Sequence, residues 1–181
     1  FNTVRTLTRA VNQTNAMVIS SVLPELQYEI GAGNFKQARK IFRFGLAIII
    51  IIALIGMIFL YIGGSWFYRL WTHKALDPPT AMWNIFIIGI LFNAVWWIAS
   101  DVLIAANKPF DFTVAGVIIS ALAVLASYFF SKQFGITGAA IGSLLLDVIL
   151  FLYVLPRSCV LIEQSLRFVI SELFSDFKEL W

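Results

Sequence analysis

The sequence predicts an all-α fold: a polytopic transmembrane helix bundle of about five spans with a C-terminal amphipathic helix. Two observations predict it. Of the 181 residues, 60% are hydrophobic and 13% charged, against roughly 45–50% and 25% in soluble domains. The apolar residues also fall in uncharged runs between short charged connections. That is the pattern of helices whose solvent is lipid, because a single water-soluble core of this size cannot bury so large an excess.

Residues 44 to 68 carry no charge. A helix of that length extends roughly 37 Å, enough to cross a hydrocarbon core of about 30 Å with tilt, and the span is placed at about 44–66. Pro78 and Pro79 open the next uncharged run, a reasonable helix start, and predict a span over about 80–106. A third apolar span covers about 112–131 and ends in the turn from Lys132 to Thr137. A fourth covers about 138–156, contains Asp147 and ends near Pro156.

The first segment, about 2–30, differs. Asn12, Gln13, Thr14, Asn15, Pro24 and Glu25 interrupt its apolar character. Lipid rejects such a surface, since each unsatisfied polar group costs several kcal/mol in hydrocarbon. This helix therefore lies in water or turns its polar side to a cavity, and its length and its spacing to the next span favour the cavity. Pro24 removes one backbone bond and is expected to bend it. Residues 1–157 make up the bundle and 158–181 a tail. In the tail Leu166, Ile170, Leu173, Phe177 and Leu180 recur on one face and acidic residues on others. Such a helix lies along the membrane surface or docks on the protein itself.

Lys36, Arg39, Lys40, Arg43, Lys108, Arg157, Arg167 and Lys178 fall at one end of this topology. Arg69, Lys74 and Lys132 fall at the other, with Arg5 and Arg9 added if the first helix spans. The positive-inside rule puts the first end, and the C-terminus with it, in the cytoplasm. Tyr61, Trp66, Tyr68, Trp71 and Trp83 gather at the opposite end, where an interfacial aromatic belt is expected.

Several function classes drop out. A net charge of +3 with cations confined to connections is no nucleic-acid face. Cys159 is the only cysteine, so no intrachain disulfide or thiolate cluster forms, and His73 is the only histidine, which removes most zinc and non-haem iron sites. No metal, no cofactor and no catalytic group is expected, and the chain is read as a non-enzyme. It begins at Phe1 without a signal-peptide pattern and is read as part of a longer protein.

The candidate binding residues are Asn2, Arg5, Arg9 and Asn12. Spacings of three and four put them on one helix face. Arginine at membrane level tends to face a hydrated pathway, and its planar fork matches phosphate oxygens in pairs, so a diphosphate-bearing substrate suits the stripe. The plainer reading is that both arginines snorkel to the headgroups. Asp101 and Asp147 are intramembrane carboxylates, which pair, titrate or bind a cation, and they are candidates for ion coupling. Asn93, Trp97 and Asp101 share a face that could line a pathway. A carboxylate bonded to a neighbouring helix is the plainer account of either acid. Gly135, Gly138 and Gly142 flank the start of the last span, where small residues let helices approach closely.

Three stretches resemble a known family. Pro24, Glu25, Leu26, Gly31, Gly33, Asn34, Phe35, Ala38, Arg39 and Lys40 are similar to the "PE…G.G…AR" segment of O-antigen and polysaccharide flippases, within the superfamily of multidrug and oligosaccharidyl-lipid exporters. Trp96, Leu103, Ala105, Ala106, Asn107 and Lys108 look like its "W…LxAxNK" element. Phe134, Gly135, Gly138, Ala139 and Ala140 look like its "G..GAA" entry to the last helix. The resemblance implies a transporter of two pseudo-symmetric lobes around a central cavity, this chain supplying most of the second lobe and the first lobe lying elsewhere in the same protein. It implies flipping of polyprenyl-diphosphate-linked oligosaccharide across the bacterial cytoplasmic (inner) membrane, for surface polysaccharides such as lipopolysaccharide. Arg5 and Arg9 are the positions that fit the cavity arginines of such a protein. A cation-coupled multidrug extruder is the alternative. A polysaccharide-assembly enzyme would need a sizeable soluble loop, and the outer loop at about 69 to 81 offers only Asp77 as an acid. A structural membrane subunit is the remaining class.

Overall fold

A computed structural model describes residues 1–73 and 79–173. Lys74, Asp77 and Pro78, and Phe177, Lys178 and Leu180 of the tail, lie outside the described residues. Five helices follow one another: α1 (Asn2–Gly31), α2 (Phe35–Trp71), α3 (Thr80–Ala105), α4 (Pro109–Leu161) and α5 (Leu166–Glu172), with no strand among the described residues. Three of them, α2, α3 and α4, are long and apolar enough to cross a membrane.

Local chemistry sets the ends. α1 runs unbroken through Pro24 and stops where Gly33 takes a left-handed backbone (φ 72°). The Asn34 N–H then reaches back to the Glu29 carbonyl at 2.9 Å, and the Gly33 N–H to the Ile30 carbonyl at 3.1 Å. This closes the orphan carbonyls of the last turn. Asn34 in turn caps α2, its side-chain oxygen accepting from the Gln37 N–H at 3.3 Å. α2 therefore starts at Phe35, well before the uncharged run, and Lys36, Arg39, Lys40 and Arg43 belong to its opening turns. Asn107 (φ 57°) ends α3 in the same way, with Lys108 N–H to the Leu103 carbonyl at 2.8 Å, and Glu163 (φ 55°) ends α4, with Gln164 N–H to the Cys159 carbonyl at 2.8 Å. Part of the "G.G" and "NK" signature is thus helix-stop chemistry.

α4 is not one rod. A straight helix of its 53 residues would extend about 80 Å, but Gly135 carries non-helical angles (φ 58°, ψ −140°) and reverses the chain. Ser127 Oγ donates to the Ala139 carbonyl across the bend at 3.4 Å. A Cβ on Gly138 would run into the Phe130 backbone, and one on Gly142 into Ser127. The limbs 109–134 and 136–161 therefore lie antiparallel with their backbones touching, the packing that small residues permit.

Named contacts give the remaining directions. Gly56 faces Val11 and Gly45 faces Val22, so α1 and α2 are antiparallel. Gly64 packs on Trp83 and Gly45 on Ile98, so α2 and α3 are antiparallel too. Asn93 bonds to Asp147 and the Ser158 hydroxyl donates to the Ala99 carbonyl at 2.5 Å, so α3 and the second limb of α4 are parallel. Successive segments alternate in direction, and the Gly33, Asn107 and Glu163 turns share one end. Phe42, Ile49, Ala53, Leu60 and Tyr68 of α2 are buried along this seam, with Met82, Ile90, Ile98 and Val102 of α3. The expected aromatic belt divides. Tyr61, Trp66 and Trp71 are exposed, whereas Tyr68 and Trp83 are buried edge-to-face against each other, centroids 6.2 Å apart.

The described part of the tail docks on the protein. Arg39 Nη1 donates to the Ile162 carbonyl at 3.1 Å. Arg43 lies 3.4 Å from Glu172 Oε2 and stacks over Phe168 at 5.6 Å, while Val169 is buried. Arg43→Ala is expected to loosen α5 and leave the bundle intact. Limited proteolysis of the purified protein should cut near residues 165–173 several-fold faster than in the parent, and equal cutting rates would remove the clasp.

Candidate functional site

α1, α3 and the second limb of α4 run parallel and line an open-mouthed cavity of about 210 Å³, well above what one water requires. Arg5, Arg9 and Asn12 line it from α1, Asn93 and Trp96 from α3, and Asp147 from α4, with the Thr8 and Ser143 hydroxyls at its margin. Residues 5, 9 and 12 reach it together because spacings of four and three hold one helix face. Gly89 of α3 leaves open the space beside the Asp147 carboxylate.

Asp147 is fixed from α3. Its Oδ1 accepts from Asn93 Nδ2 at 2.8 Å and from Trp96 Nε1 at 3.0 Å. Asn93 and Trp96 are three apart and share a face, so one turn of α3 supplies both donors. The donors hold the carboxylate in one orientation, and Arg5 lies within its electrostatic reach. The Asn12 and Asn93 side-chain oxygens are buried and lack a hydrogen-bond partner among the described residues. Buried acceptors of that kind are costly unless a donor reaches them. Neither guanidinium, of Arg5 or of Arg9, makes an ion pair or hydrogen bond among the described residues. The cavity thus presents two forked cations and the Asn12 oxygen on the α1 side, and the Asn93 oxygen and the ionisable Asp147 carboxylate on the other. Chemically it suits an anion on the arginines and a cation or donor on the oxygens.

The structure brings Arg5, Arg9, Asn12 and Asp147 together. It does not bring Asn2, which is exposed and off the cavity. Asp101 is also apart: it is buried (3% exposed) near the far end of α3, and its Oδ2 has no partner among the described residues. The shared face of Asn93, Trp97 and Asp101 is not the lining. Trp97 is 41% exposed and stacks on Trp96, which takes its place at the cavity. A carboxylate deep in an apolar run calls for donors on a neighbour, and Asn93 with Trp96 is the donor pair of α3 at helical spacing. That was the available signal for Trp96. Asn15, one turn beyond Asn12, is fully buried with both amide atoms unpartnered and does not line the cavity.

No family model, no curated protein and no solved structure matches this chain.

Proposed function

We propose that the chain is one lobe of a non-enzymatic exporter that flips polyprenyl-diphosphate-linked oligosaccharide across the bacterial cytoplasmic membrane, for the assembly of surface polysaccharide. The observation that carries the reading is the convergence of Arg5, Arg9 and Asn12 on one cavity opposite Asp147, with both arginines exposed at its mouth. Guanidiniums at membrane level that find no acid among the described residues are costly unless they serve an anionic passenger, and the diphosphate is the anionic part of such a lipid. On this reading α1, α2, α3 and the two limbs of α4 all span, making five crossings. α1 supports this from its outer side as well. Thr6, Gln13 and Ser20 form an exposed polar stripe, which lipid would not solvate, so it borders a hydrated passage whose other wall is a second lobe. Lys36, Arg39, Lys40, Arg43, Lys108, Arg157 and Arg167 lie at the end that carries the Gly33, Asn107 and Glu163 turns. That bias favours a cytoplasmic location for this end and for the C-terminus.

A cation-coupled multidrug extruder is the second reading, favoured by Asp147 and the two unpartnered amide oxygens in the same cavity. The test separates them. Arg5→Ala and Arg9→Ala, made in the full-length protein, are expected to abolish surface polysaccharide at unchanged protein abundance. Normal polysaccharide from both variants removes the arginine site. Loss of drug resistance at normal polysaccharide output favours the extruder.

A further inference from the structure

At the opposite end of the bundle from the polar cavity, a second groove of about 440 Å³ opens between the C-terminal ends of α3 and α4. Lys108, Pro156, Arg157, Val160 and Leu161 line it, with Leu103 at its floor. Arg157 is held over the Tyr153 ring with its guanidinium 3.8 Å from the centroid, which restricts an otherwise flexible fork. Lys108 occupies the N-cap position of α4, just past the Asn107 turn, and its side chain makes no capping bond. Neither cation makes an ion pair with an acid among the described residues. Below the groove, Ile149 and Leu152 are exposed and, with Pro156 and Val160 of the groove itself, follow spacings of three and four along one face of α4. An apolar track therefore leads from mid-bundle up to two cations that have no acid partner among the described residues.

We infer that this groove is a binding site for an anionic phospholipid of the surrounding leaflet, its phosphate on Lys108 and Arg157 and an acyl chain along Leu152 and Ile149. A free anion would use the cations alone. The exposed track at helix-face spacing is what a tethered hydrocarbon chain adds, and basic clefts between helices at the membrane surface are suited to phospholipid headgroups. The site is independent of Arg5, Arg9 and Asp147.

The test uses the purified full chain in phosphatidylcholine nanodiscs with and without cardiolipin. Native mass spectrometry reads retained lipid, and thermal unfolding reads protection. Each near-surface cation is worth about a five-fold change in affinity. Lys108→Gln and Arg157→Gln should each weaken cardiolipin retention by about that factor, and the double variant by roughly twenty-five-fold, with helicity unchanged by circular dichroism. Lys36→Gln with Arg167→Gln, at the same end but off the groove, should leave retention near that of the parent. Three results overturn the site: parental retention by the Lys108/Arg157 double variant, an equal loss from Lys36/Arg167, or equal protection by inorganic phosphate without lipid.

Discussion

Leucine at position 142 is expected to prevent the last helical hairpin from closing. Gly142 lies against the Ser127 backbone so closely that even a methyl group would overlap its Cα and amide nitrogen. The Ser127 hydroxyl is the first atom met and could turn away, but the main chain of a helix lies directly behind it and cannot. Overpacking commonly costs about 1–3 kcal/mol where neighbours can adjust, and a leucine wedged between two backbones lies beyond that range. Set against a stability of about 5–15 kcal/mol for a whole domain, such a loss is enough to unfold the hairpin. The purified variant should elute as aggregate in detergent and lose its thermal transition. Gly116→Leu is the matched control, since nothing lies within 4 Å of a Cβ built there, and it should behave as the parent does. If both variants are well folded, the two limbs are not in contact at this level.

The second large effect concerns Asp147, where charge and shape can be separated. Asp147→Leu removes the acceptor of both Asn93 Nδ2 and Trp96 Nε1, and each buried donor left unpaired costs about 1–3 kcal/mol. Asp147→Asn keeps a carbonyl oxygen that can accept both bonds and removes only the charge. The leucine variant is therefore expected to lose thermal stability in detergent and to shift the indole emission of Trp96, read as the difference against a Trp96→Phe background. The asparagine variant should hold its stability and, on the proposed reading, lose transport. A leucine variant as stable as the parent would mean that α3 does not depend on this carboxylate. An asparagine variant with full transport would remove the carboxylate from the mechanism.

The sequence announced these groups unevenly, for physical reasons. Arg5, Arg9, Asn12 and Asp147 stand out because charge and amide are rare in apolar runs, and rarity is visible without coordinates. Their convergence depends on which helices run parallel, and that is fixed by the reversal at Gly135 and by the Gly45, Gly56 and Gly64 notches of α2. Local pattern records none of those directions. Asp101 resembled Asp147 for the same reason of rarity, yet its buried Oδ2 finds no donor among the described residues. Trp83 and Tyr68 looked interfacial by residue type, but Gly64 opens a seat for the indole and draws the pair inward. α2 extends further than its uncharged run because Asn34 supplies a cap, and capping is indifferent to the charges that follow it.

The fit of α1 against α2 also bears on how the chain enters the bilayer. A segment carrying two arginines and several amides partitions poorly from the translocon by itself. α2 partitions readily, and it offers Gly45 and Gly56 as recesses for Val22 and Val11, joined to α1 through the tight Gly33 connection. On the proposed topology α1 is therefore a passenger: it waits at the channel until α2 emerges, and the two are released sideways as a pair. Bulky residues at positions 45 and 56 should then leave the first thirty residues stranded on the wrong side of the membrane, even though neither substitution touches them covalently.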